Sequence, residues 1–244
     1  MNKNYELFNG DCLELMKNIP DKSIDMILCD LPYGTTQAKW DEIIPFDNLW
    51  NIYNRVIKDN GAIVLFGSEP FSSKLRMSNL KMFKYDWIWQ KPNGTGFLNA
   101  KKQPLRVYEN ICVFYKKQPT YNPQMRKGEP YIWNSKRGQS ESYNKHDEIN
   151  HKIENSGERF PINILNFKQE RGLHPNQKPI ELLEYLIKTY TQEGEIILDN
   201  TMGSGSTGVA AINLHRKFIG MELDEKYFEI ASNRINEVSQ TLVK

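Results

Sequence analysis

Two groups of residues in this chain have types and spacings that could do chemistry. The first is CDLPYG at 29–34, which follows the apolar run IDMIL at 24–28. A turn after a strand can use Pro32 and Gly34, but it needs neither the acid at Asp30 nor the aromatic ring at Tyr33. The second is EIILDNTMGSGSTG at 195–208, a strand-like run ending in Asp199 and followed by Gly203, Gly205 and Gly208 before the helix start VAAINL. This is G-x-G-x-x-G between a strand and a helix. The first glycines permit a tight turn and close backbone approach to a ligand, and the last lets the helix pack on the sheet. Glu222, at the end of the run KFIGMEL, can accept hydrogen bonds from ribose hydroxyls. A dinucleotide would place its pyrophosphate on the helix N-terminus. S-adenosylmethionine has no phosphate but needs the same close backbone and the same acid, so the loop alone fits both. Its place near the end of the chain leaves too little sequence after it for a six-stranded dinucleotide domain, so the other strands must come from earlier.

The elements that must position these residues are legible as strand-sized apolar runs: YELF (5–8), IDMIL (24–28), AIVLF (62–66), YDWIW (85–89), ENICVFY (109–115), EIILD (195–199) and KFIGMEL (217–223). Helical spacing marks Phe46–Lys58, Ile180–Tyr190 and Ser206–Leu214. Strands alternating with helices predict a mostly parallel sheet covered on both faces. The run from Lys116 to Leu173 breaks the rhythm. It is polar, holds four prolines and no sustained period, and keeps its aromatic residues, so it reads as an inserted recognition segment.

Composition fits one soluble globular domain with an insertion: 244 residues, 39% hydrophobic and 25% charged. No signal peptide is expected, and the apolar runs are too short to span a bilayer. Cys12, Cys29 and Cys112 fit neither a disulfide framework nor a metal-ligand pattern, which points to a reducing, cytoplasmic setting and no metal. The net charge of +2 hides an asymmetry, because residues 81–172 hold 17 Lys/Arg against 9 Asp/Glu, a net of +8, and the rest carries −6. A basic middle with Tyr121, Tyr131, Trp133 and Tyr143 suits nucleic acid, and a solvated loop region is its plainer reading.

D-L-P-Y after a strand, with the glycine loop near the C-terminus, resembles the DNA amino methyltransferases, which methylate adenine N6 or cytosine N4 with S-adenosylmethionine. The chain is most similar to their permuted (beta) group, in which the catalytic motif comes first and the cofactor loop last. Four segments carry the resemblance over nearly the whole chain: NGDCLELMKNIPDKSIDMILCDLPYG, KYDWIWQKPNGTGF, HPNQKPIELLEYLIKTYT and LDNTMGSGSTG. It implies a Rossmann-like methyltransferase fold, an α/β architecture with a mostly parallel seven-stranded sheet and helices on both faces. Residues 1–115 would be the catalytic half, 116–172 the target-recognition insertion and 173–244 the cofactor-binding half.

The resemblance also implies roles. An exocyclic amine on a base is a poor nucleophile because its lone pair is delocalised into the ring. Two acceptors on its hydrogens can free that lone pair: the Asp30 carboxylate and the Leu31 main-chain carbonyl, aimed by Pro32. Tyr33 would stack on the base, flipped out of the duplex. Cofactor contacts would come from Asp11, Asp30, Lys178, Asp199, Thr201, Gly203, Ser204, Gly205, Ser206, Thr207 and Glu222. Trp89, Lys91 and Asn93 match the base-side motif, and Arg126, Lys127, Lys136 and Arg137 would meet DNA phosphates. Plainer readings make Asp11 a helix N-cap, Trp89 a core residue and His174 structural or cofactor-adjacent rather than catalytic. The chain departs from the pattern at Leu31, where proline is common, and at Thr201, often Phe. Asp at the first motif position goes with adenine. The expectation is therefore a site-specific adenine-N6 methyltransferase acting on double-stranded DNA, a setting that allows a homodimer and a cognate restriction enzyme. The alternatives are an N4-cytosine or RNA enzyme of the same chemistry, an NAD-dependent oxidoreductase, and a non-catalytic DNA-binding subunit.

Overall fold

The computed structural model describes residues 4–34, 41–136, 150–170, 172 and 177–241. The chain forms two compact units, one of Pro123–Ile162 and one of the residues on either side.

The larger unit is built on eight strands: β1 (Tyr5–Asn9), β2 (Ile24–Cys29), β3 (Ile57–Gly67), β4 (Phe83–Thr95), β5 (Arg106–Phe114), β6 (Ile164–Asn166), β7 (Ile196–Asp199) and β8 (Lys217–Glu222). Their order across the sheet is β1-β8-β7-β2-β3-β5-β4-β6. Every neighbouring pair is parallel except those of β5, which runs antiparallel to β3 and β4. The sheet is mostly parallel, as the alternation of strands and helices implies, but it has eight strands where seven were expected. The additional one, β6, lies inside the stretch read as irregular. Only its Leu165 is buried, and one buried residue leaves no period to detect.

β2 is buried at all six positions, which explains its apolar run, and the one charged residue in it, Asp25, is paired with Lys58 and accepts the Ile196 N–H. Its side chains still alternate. Met26 and Leu28 face one core with Ala62 and Val64, while Ile27 and Cys29 face the other with Ile63 and Leu65. Helices α1 (Cys12–Leu15), α2 (Phe46–Val56) and α3 (Phe71–Ser78) cover the second face, and α4 (Ile180–Tyr190), α5 (Ser206–Asn213) and α6 (Glu225–Thr241) cover the first. α4 buries Leu182, Leu183, Leu186, Ile187 and Tyr190, the helical spacing seen in sequence.

The smaller unit is not irregular. Arg126–Lys127 pairs antiparallel with Glu158–Arg159, and Tyr131–Lys136 with Asn150–Asn155. Tyr131, Ile132 and Trp133 are exposed, so these ribbons have no buried face to impose an alternating pattern. Among the described residues, no helix is long and apolar enough to cross a membrane. The three cysteines are free and buried.

Candidate active site

In a parallel sheet, ligands bind outside the carboxyl ends of the strands. Here β1, β2, β7 and β8 end side by side, and the residues that follow them line one cleft of about 330 Å³. It collects Asp11 after β1, Asp30–Tyr33 after β2, Asp199–Ser204 after β7 and Glu222 at the end of β8, with Ser206, Thr207 and Lys178. Residues far apart in sequence are thereby brought together, and the volume is that of a small-molecule site.

The turn after β2 is held by bonds that the motif alone does not announce. Asp41, buried, accepts the backbone N–H of Tyr33 at 2.8 Å and of Gly34 at 2.9 Å through one oxygen. The Tyr33 phenol donates to Asp30 Oδ1 at 2.6 Å, and its ring stacks on Phe71 with centroids 4.9 Å apart. Lys178 donates to the other oxygen, Asp30 Oδ2. Burial raises the Asp30 pKa above the usual carboxylate range; Lys178 opposes the rise and Glu109 adds to it. Burial also works against the Lys178 charge, but Asp30 and Glu109 more than offset it and hold the ammonium above its ordinary value. Glu109, on β5, ion-pairs with Lys91 and lies 3.4 Å from Lys178. Its own burial opposes ionisation, yet the two lysines keep its pKa below normal.

The glycine loop is fixed to the acids around it. Gly203 (φ +53°) donates its N–H to Glu222 Oε2 at 2.8 Å, and Asp224 donates to Oε1 at 2.9 Å. Burial raises the Glu222 pKa, with these donors opposing it. Thr201 donates its N–H to Asp199 Oδ1 at 3.1 Å and its hydroxyl to the Asp30 main-chain oxygen at 3.2 Å. Thr201 therefore ties the glycine loop to the D-L-P-Y turn. Burial pushes the Asp199 carboxyl up to about 7, although Thr207 and the Thr201 N–H favour its ionised form. Arg234 of α6 donates to the Ser204 carbonyl and approaches the Ser204 and Ser206 hydroxyls.

Not every expected residue reaches the cleft. Gly205 (φ +79°) turns towards α6, where a Cβ would come within 2.9 Å of Ala231 Cβ, so its task is close packing and a left-handed turn. Asp11 lines the cleft and also caps α1, accepting the Leu13 N–H at 2.8 Å. Trp89 requires correction as a DNA contact: it is 2% exposed and donates its indole N–H to the Phe167 carbonyl. It belongs to the core and backs Lys91, which sits 4.9 Å from its ring centre. Lys91 is bound to Glu109, and Asn93 is exposed further along β4. Arg126 and Lys127 are exposed in the smaller unit. The Lys136 side chain, Arg137 and His174 lie outside the described residues.

Sequence reasoning missed Asp41, Glu109 and Asn200. Asn200 is a buried hub: Tyr53 donates to its Oδ1 at 2.5 Å, Cys29 also donates to that oxygen, and its amide reaches Cys12. The available signals were a polar residue directly after ILD and an acid opening the run ENICVFY.

The lining tests which ligand fits. Asp11, Asp30, Asp41, Glu42, Asp199 and Glu222 face the cleft, and Lys178 is the one basic residue among its described lining residues. Such a cleft suits the positively charged sulfonium of S-adenosylmethionine and repels a pyrophosphate, which weighs against a dinucleotide.

Fold and cleft together define a class, an α/β enzyme that binds a nucleoside cofactor beside a buried carboxylate. The solved complex of M1.HpyAVI with S-adenosylmethionine shares the fold, with a TM-score of 0.63 over 94% of this chain and 99% of that one at 24% identity. The profile of the DNA methylase family N6_N4_Mtase matches residues 24–233, and the chain belongs to that family. It is an S-adenosylmethionine-dependent DNA methyltransferase. It is 28% identical to the Type II methyltransferase M2.MboI of Moraxella bovis, over 98% of this chain and 90% of that protein. It is 29% identical to the DNA adenine methyltransferase YhdJ of Escherichia coli K12, over 98% and 85% respectively.

Proposed function

We propose that the chain methylates adenine N6 at specific sites in duplex DNA, and that it is of the permuted group, with the catalytic motif ahead of the cofactor loop. The observation that carries this reading is the meeting of the Asp30 carboxylate, the Gly203–Thr207 loop and Glu222 in one cleft. The similarity to a protein named a DNA adenine methyltransferase supports adenine over cytosine, as does aspartate at the first motif position. The names of the Type II relatives support a setting with a cognate restriction enzyme.

S-adenosylmethionine supplies an electrophilic methyl group when bound. The chain's own residues do the rest. Each Glu222 oxygen accepts one backbone N–H and keeps a lone pair for a ribose hydroxyl. Asp30 keeps a lone pair on each oxygen beside Tyr33 and Lys178, enough to accept one hydrogen of the target amine, while the Leu31 carbonyl accepts the other. With the methyl carried to nitrogen, the S–CH3 bond broken and the cofactor left as a neutral thioether, the amine proton would pass to Asp30, whose burial suits it to receive one. One face of the Tyr33 ring is covered by Phe71, and the other stacks on the extruded base. The smaller unit reads the target sequence.

Incubation with unmethylated duplex DNA and S-adenosylmethionine, followed by nucleoside analysis, tests the reading. N6-methyladenine is expected, and Asp30→Ala should abolish it while cofactor binding persists. N4-methylcytosine would reassign the base. Modification of RNA alone would reassign the substrate.

A further inference from the structure

The hairpin between β4 and β5 takes no part in the cleft. Its tip carries Phe97 and Leu98 with 79% and 102% of their surface exposed, on one 3-10 turn that begins after Gly96 at φ +89°. Two adjacent large apolar side chains this bare mark a contact surface rather than a core. The surroundings narrow the partner. From Trp87 to Tyr108 the chain has Lys91, Lys101, Lys102 and Arg106 and no acid. Lys101, Lys102 and Arg106 are exposed. An apolar tip flanked only by cations fits a polyanion with an apolar interior, which a base stack is.

The hairpin is also rooted at the site. Glu109, paired with Trp89 at its base, reaches Lys178 and through it Asp30. Arg106 donates to the Ser68 hydroxyl, just past the end of β3, at 2.7 Å. β4 runs in the same direction as β3 and β2, so the tip projects from the sheet edge that carries Asp30. The path from Trp89 to Thr95 spans at most roughly 20 Å of extended chain.

We propose that this hairpin is a wedge for duplex DNA. Phe97 and Leu98 enter the base stack beside the target and fill the gap left when the base swings into the cleft, while Lys101 and Lys102 hold flanking phosphates. The proposal rests on the reading of the site as a base methylase. A base leaving the stack forfeits its stacking contacts, and an inserted apolar side chain restores part of them.

The test compares the unaltered chain with three double variants: F97S/L98S, F97L/L98M and K101S/K102S. Two quantities are read: methyl transfer from S-adenosylmethionine into unmethylated plasmid duplex, and the salt dependence of binding to a labelled duplex. The serine pair at the tip should lose about ten-fold or more of the transfer rate with an unchanged salt slope, and the apolar pair should stay within about three-fold of the unaltered chain. K101S/K102S should lower the salt slope by about 2. Cofactor affinity, measured by calorimetry, should be the same in all. An unchanged rate in F97S/L98S, or an equal loss in F97L/L98M, overturns the wedge alone. No transfer by the unaltered chain overturns the methylase reading and the wedge with it.

Discussion

The Lys178 ammonium lies between two carboxylates, bonded to Asp30 and 3.4 Å from Glu109, with 7% of its side chain exposed. Lys91 holds the far end of Glu109, so four charges of alternating sign run from the hairpin to the D-L-P-Y turn. The network sets how readily Asp30 ionises. Lys178 lowers the Asp30 pKa and Glu109 raises it. In the proposed mechanism Asp30 accepts the amine in its ionised form, so activity should fall as pH drops through its pKa. Lys178→Met should move that acid limb to higher pH and cut kcat at neutral pH by about ten-fold or more, whereas Glu109→Gln should move the limb to lower pH. A kcat–pH profile of each variant checks this. Shifts in the same direction would remove Lys178 and Glu109 from control of Asp30.

Asp41 holds the N–H groups of Tyr33 and Gly34, and under the proposed mechanism this makes it a positioning residue for the D-L-P-Y turn. Asp41→Ala leaves both donors without this acceptor and frees the backbone that aims the Leu31 carbonyl. We expect kcat to fall by about ten-fold or more, as misplacement of a catalytic group does, with cofactor affinity changed far less. Asp41→Asn keeps an acceptor oxygen and should recover part of the loss. Equal kcat in the Ala and Asn variants would show that the two bonds do not set the rate.

The fold was legible where burial imposes a period. β2, β7 and α4 are buried on a face or throughout, and their bounds follow the apolar pattern closely. α6 went unread because it buries only Ala231 and Ile235 in seventeen residues, too thin a stripe to stand out. β6 and the ribbons of the smaller unit lack a buried face. Asp30, Glu222 and the glycine loop were legible because each lies in a local motif. Asp41, Glu109 and Asn200 were not, because their roles arise from contacts that only the folded sheet creates. Trp89 shows the opposite error: a motif placed it beside the base, and burial in an apolar strand decided otherwise.

The buried carboxyl of Asp199 should leave a mark on stability. Its pKa is about 7 in the folded chain and about 4 when unfolded. Between these values the folded state keeps the proton that the unfolded state has lost. The sign then follows from linkage: where the folded state binds more protons, stability falls as pH rises. The Asp199 contribution is fully present below about pH 4 and is lost by about pH 7, on the order of 4 kcal/mol at about 1.4 kcal/mol per pH unit. Asp199→Asn cannot titrate and keeps an oxygen for the Thr201 N–H. Urea unfolding from pH 4 to 8 should therefore show the variant gaining on the unaltered chain as pH rises. A constant difference between the two would mean that Asp199 ionises normally in the fold.

The basic residues of the smaller unit give a prediction about affinity rather than chemistry. Arg126 and Lys127 are exposed on a short ribbon strand, and Lys136 and Arg137 follow in the same unit. If they meet phosphates, each releases about one counterion on binding, and the slope of log K against log salt carries about −0.9 per contact. Replacing all four with Ser should weaken binding to any duplex and flatten the slope by up to about 3.6. Transfer at saturating DNA should change little, since phosphate contacts position the duplex and take no part in the chemistry. Sequence preference should also survive, because phosphate contacts fix register without reading bases. Anisotropy titrations at several salt concentrations measure the slope directly. An unchanged slope would move the DNA path off this unit and leave Lys101, Lys102 and Arg106 of the β4–β5 hairpin as the cations that carry it.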